Sequence, residues 1–113
     1  MKLKYYRDVK GEPVDEIGAA KVTRRIVISP EDGAPNFIMR VFEIEPSGHT
    51  PYHTHPFEHE IFVKSGSGIL VFEGKDYPVK PGNVVFIQGD EKHQFRNTGK
   101  ELLEIICLIP KPS

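Results

Sequence analysis

The chain of 113 residues has one cysteine, Cys107, and no tryptophan. A single thiol cannot close an intramolecular disulfide, so the fold must be held by packing. No apolar run approaches the ~18 residues that a membrane-crossing helix requires. The N-terminus, Met1 to Asp8, carries charges with no apolar stretch behind them and does not read as a signal peptide. Neither sign of charge dominates: fifteen basic and sixteen acidic residues leave a net charge of −1. Phosphate binding needs a concentrated basic face, so nucleic acid is not expected as a partner, and nor is an anionic membrane surface. The expected location is the cytoplasm. A sustained 3.6-residue apolar period is also missing, which predicts little helix.

What is present is punctuation. Ten prolines and ten glycines are spread along the chain and cut it into short segments rich in Val, Ile and Phe. These segments predict strands at 25–28, 37–44, 60–64, 68–72, 83–87 and 102–109. Turn-forming composition marks 30–35, 45–48, 65–67, 80–83 and 96–100. Short strands at spacings near ten residues suggest an all-β sandwich or barrel. The length fits one domain over residues 1–113, with 1–22 as an arm or edge strand and 37–110 as the barrel core. The arm is either a strand added to a sheet edge, in this subunit or a partner, or a frayed terminus.

Four of the five histidines fall in one window, Gly48 to Glu60, and the fifth, His93, lies far downstream. His53 and His55 point to the same side of an extended chain, about 7 Å apart at the backbone. Two imidazoles so placed can offer nitrogen lone pairs to one metal at about 2.1 Å each. His59 follows a proline-bearing bend, and His93 has to arrive from another strand. Burying such rings together without a cation would leave lone pairs facing one another. His49, directly after a turn glycine, has the wrong spacing and is assigned no role.

These residues resemble the cupin superfamily. Its first motif reads glycine, about five residues, His-x-His, three or four residues, glutamate, six residues, glycine. Gly48, His53-Thr54-His55, His59 and Gly66 fill it, with four residues after Gly48. The second reads glycine, five residues, Pro-x-Gly, two residues, histidine, three residues, asparagine. Gly82, His93 and Asn97 fall on it, whereas Gln88 and Asp90 stand where the family has proline and glycine. His59 occupies the place of the usual metal-binding glutamate. The run His53-Thr54-His55-Pro56-Phe57-Glu58-His59-Glu60 is similar to small bacterial cupins with four histidine ligands and manganese. The resemblance implies a double-stranded β-helix, or jelly-roll, barrel of six to eight strands, a homodimer, and one divalent metal inside. Manganese leads, ahead of iron, with nickel, copper and zinc compatible with imidazole ligands.

Glu60 competes with His59 for the fourth ligand position, and parity favours His59. If the strand begins near His59, then His59, Ile61 and Val63 share the interior face, and Glu60 and Phe62 the other. The same test puts Leu103, Ile105 and Cys107 inside and turns Glu104 to solvent or a partner. The pocket is therefore expected to be mostly apolar, built from Ile61, Val63, Ile105 and Cys107. Cys107 reads as packing and Asn97 as a turn-former.

Four neutral imidazoles would leave the ion its full charge and two open positions. Metal content should then fall below about pH 6, as the rings protonate. No carboxylate has a strong case for facing the metal, which disfavours a hydrolase or sugar isomerase. The leading expectation is a metal-dependent oxygenase or oxidase acting on a small, unsaturated or aromatic molecule. A non-enzymatic binding or sensing module is the alternative, and a metal-dependent isomerase or epimerase the third reading.

Overall fold

The computed structural model describes residues 1–112. Nine strands form one antiparallel sheet: β1 Glu12–Pro13, β2 Ala20–Ile28, β3 Phe37–His49, β4 His59–Ser65, β5 Gly68–Phe72, β6 Lys75–Val79, β7 Val84–Ile87, β8 His93–Arg96 and β9 Leu103–Pro110. Two single-turn 3-10 segments, Tyr6–Asp8 and Pro30–Asp32, are the only helical elements among the described residues. The sheet runs β6-β5-β8-β3-β9-β4-β7, with β2 along β3 and β1 along β2. It curls because the long strand β3 serves two neighbourhoods. Its first half lies between β2 and β9, while its last residue, His49, pairs with Arg96 of β8.

The sequence misses β6 and β8, and the reason is compositional. Lys75–Val79 carries two charges and a proline at the sheet edge. His93–Arg96 is polar at three of its four positions yet largely buried, because His93 and Phe95 face the cavity while Gln94, on the other face, donates to the Thr50 carbonyl. The expected turn at 45–48 is a bulge instead. Chain register slips between Ala20 and Val22 opposite Ile44 and His49, with Ser47 at φ 68°, and the strand carries on to His49.

Strand parity organises the rest. On β4, His59, Ile61 and Val63 are buried while Glu60 and Phe62 are exposed, as period two requires. Ile44, Val63, Ile87 and Leu103 form the fully buried centre. Each such side chain contributes roughly 1.5–3 kcal/mol on leaving water. Gly66 has to be glycine. Its φ is +80°, and an added Cβ would lie 2.3 Å from the Leu102 carbonyl oxygen.

The arm folds onto its own barrel. Tyr6 donates its hydroxyl proton to Glu104 at 2.6 Å, and Arg7 reaches the same carboxylate at 3.3 Å. Arg25 spans from Glu43 to the carbonyl of Val9. Glu104 is thus not turned to solvent: it is 4% exposed, held also by Ser65 and Lys64. Parity placed it correctly on the outer face of β9. What parity cannot show is that the arm covers that face.

Candidate metal centre

Three backbone links assemble the histidines. His53 and His93 exchange a pair of backbone hydrogen bonds, 3.2 and 3.1 Å, so the two motifs are joined directly. The Asp90 N–H donates to the His55 carbonyl at 2.6 Å. Asp90 sits at φ 66°, the left-handed region a glycine would occupy, and an aspartate tolerates it. The departure from the family pattern at this turn therefore keeps the turn. His59 enters as the first residue of β4, paired with Ile87 of β7.

Donor atoms of His53, His55 and His93 all lie within 4.8 Å of one another. His59 stands beside this trio, its ring centroid 5.0 Å from those of both His55 and His93. Glu60 points away and is exposed. His49 remains apart, its Nδ1 near the Thr50 carbonyl.

The donor set suits a cation. Nε2 of His53 and Nε2 of His55 are 3.0 Å apart. Two nitrogens at about 2.1 Å from one ion and 90° apart would be separated by about 3.0 Å. His93 Nδ1 donates to the Glu91 carbonyl at 2.8 Å, which leaves its Nε2 as a lone-pair donor toward the cluster. His59 Nδ1 is buried with no partner. Burial, reinforced by the neighbouring imidazoles, pushes the His55 ring down to about 4 and the His59 ring to about 3. Burial likewise lowers His53 and His93. All four rings thus favour the neutral form that a metal ligand needs, and protonation would compete only below the pH of about 6 expected for free imidazoles.

The trio opens on a cavity of about 180 Å³. Ile61, Ile105 and Cys107 line it, with Phe42 and Phe95. Val63 lies two residues further along β4, in the fully buried core and not on the cavity wall. The cavity is less apolar than the sequence suggests, because Glu16, Arg24 and Arg40 also face it. Glu16 comes from the arm, where sequence gives no hint of location, and it stands 3.9 Å from Arg24 at the rim. Arg40 was legible: it shares a strand face with Ile38, Phe42 and Ile44, and parity applied to β3 puts it inside.

A curled all-β sheet carrying His-x-His on one segment and a further histidine on a paired one defines the class. The chain belongs to the cupin family: the model described as "Cupin domain" matches residues 40–109. It is 35% identical over 68 residues to an oxalate-binding protein from Thermotoga maritima, across 59% of this chain and 56% of that one. The chain thus spans little more than half the length of that curated relative. Among solved structures it is similar to the polyketide cyclase RemF from Streptomyces resistomycificus, with 38% identity and a TM-score of 0.93, covering 99% of this chain and 80% of that one. A predicted oxalate decarboxylase from Thermotoga maritima superposes with a TM-score of 0.85 at 25% identity, over 98% of this chain and all of that one. No helix among the described residues is long and apolar enough to cross a membrane.

Proposed function

We propose that this protein is a metal-dependent enzyme that cyclises a small, carbonyl-rich organic substrate. His53, His55 and His93 would hold a divalent transition metal, manganese first, with His59 as fourth ligand. Bound there, such an ion supplies Lewis-acid polarisation of a carbonyl oxygen. The observation that carries the reading is Glu16 at the rim of the histidine cavity. A cyclisation needs a proton carrier, and Glu16 provides the carboxylate. It takes a proton from a carbon flanked by two carbonyl groups. That carbon then bonds to a second carbonyl carbon, whose oxygen receives the proton. Phe42, Ile61 and Ile105 offer an apolar surface for the substrate body and exclude water. The likeness to a polyketide cyclase, over 99% of this chain and 80% of that one, agrees with this chemistry.

The test uses a short synthetic poly-β-keto chain that ends in a free carboxylate and follows ring formation by absorbance. Glu16→Gln is expected to slow turnover about 100-fold while metal content stays unchanged. Equal rates in wild type, Glu16→Gln and His55→Ala would overturn the reading. An oxygenase is the second reading, favoured by the all-nitrogen donor set beside apolar walls. Oxygen uptake that is the same in wild type and His55→Ala eliminates it. Stoichiometric binding without turnover would instead mark a sensing module.

A homodimer belongs to the same proposal. Phe62, Val84 and Phe86 stand exposed on the outer face of β4 and β7, at 46%, 76% and 62%. β7 ends the sheet with one edge unpaired among the described residues. Apolar side chains beside an open edge suit a second copy related by a twofold axis. Light scattering on size-exclusion chromatography should give twice the chain mass, and Phe86→Asp should halve it. A wild-type monomer at ~100 µM, well above the dissociation constants of specific complexes, would contradict the dimer.

A further inference from the structure

The two arginines of the cavity have no part in the metal centre. Arg24 of β2 and Arg40 of β3 are diagonal neighbours on the inward face, since Arg24 registers with Phe42 and Ile26 with Arg40. Arg24 has Glu16 at 3.9 Å. Arg40 has no carboxylate within 4.0 Å among the described residues. The only acceptor the described residues offer its guanidinium is the Cys107 thiol, 3.1 Å from Nη2, and its Nε is buried with none. The ring of Phe42 lies beneath the guanidinium, 5.0 Å from Cζ to centroid. Burial raises the Cys107 thiol, so that partner stays neutral.

A guanidinium held on an aromatic face, short of acceptors and open to a cavity, lacks an anion. We infer that the cavity receives an organic acid, whose carboxylate is taken by Arg40 and whose apolar body lies against Phe42 and Ile105. Planar, delocalised guanidinium matches the two oxygens of a carboxylate, which a neutral amide cannot replace. Arg24 supports the same anion from the next strand, and Glu16 balances the charge of Arg24 when no acid is bound. The substrate class of the proposed enzyme is thereby narrowed to acids. That last step rests on the catalytic reading, whereas anion binding by Arg40 does not.

Benzoate and benzamide, alike in size and shape, serve as probes in calorimetric titrations of the metal-loaded and metal-free protein. Benzoate is expected to bind both forms, and benzamide about tenfold more weakly or less, as befits the loss of a charge-assisted hydrogen bond. Arg40→Gln should weaken benzoate by about tenfold or more at unchanged metal content, with Arg40→Lys intermediate. Arg24→Gln should cause a smaller loss. Benzoate affinity unchanged in Arg40→Gln, equal affinities for the two probes, or no benzoate binding at millimolar concentration would each overturn the inference. If Arg40→Gln does not fold, the probe comparison in wild type and in Arg40→Lys decides. Benzoate binding that depends on Arg40 in a protein that never takes up metal would sustain the inference and defeat the metal reading.

Discussion

Replacing His93 by alanine should abolish stoichiometric metal uptake. His93 is the buried member of the trio and the one whose tautomer is fixed, by the bond from Nδ1 to the Glu91 carbonyl. Loss of an outer partner alone lowers metal affinity roughly 10–100-fold, and loss of a ligand exceeds that. Elemental analysis of purified protein, with metal titration into the stripped form, gives the readout. His49→Ala should leave uptake unchanged, because its ring lies away from the cluster beside Thr50. The fourth ligand is decided by a second pair: His59→Ala should weaken binding, and Glu60→Ala should not. Full metal content in His93→Ala would remove the basis for the site.

Glu104→Ala should destabilise the protein by about 2–3 kcal/mol at neutral pH, since it removes charge-assisted hydrogen bonds at a buried position. Burial pushes this carboxyl up, but hydrogen bonds from Tyr6, Ser65 and Arg7 and the charge of Lys64 outweigh it and bring it down to about 2. The sign comes from proton binding. Between the ordinary carboxylate range near 4.5 and about 2, the unfolded chain holds a proton that the native one does not. The stabilisation from Glu104 is present above that window and is lost as pH falls through it. In the metal-free protein the histidines act earlier and in the same direction. Their rings are depressed from 6.5, to about 4 for His55 and about 3 for His59, so the unfolded state gains protons first as pH drops below 6.5. Denaturant titrations of metal-free wild type should show stability falling from pH 6.5 downward. In Glu104→Ala the further fall below pH 4.5 should be shallower. Hydrogen exchange at residues 5–9 should rise in this variant, because Tyr6 and Arg7 are anchored on Glu104. Wild-type stability in Glu104→Ala would mean that the arm holds on without it.

Period two and ligand spacing are legible in the order of residues alone. Alternation on β4 set His59, Ile61 and Val63 against Glu60 and Phe62, and the structure keeps that division. His-x-His put two imidazoles on one side because successive side chains of an extended chain alternate faces. Local chemistry of that kind needs no knowledge of the rest of the chain. The covering of each face, by contrast, is a property of the folded molecule. Folding brought Glu16 from the arm to the cavity rim and pressed Tyr6 and Arg7 onto Glu104. It also turned His93–Arg96, polar at three of four positions, into a largely buried strand. These contacts join residues as far apart as 98 positions. Such pairings answer to loop closure and to the hydrogen-bond and charge requirements of partners that no local pattern encodes.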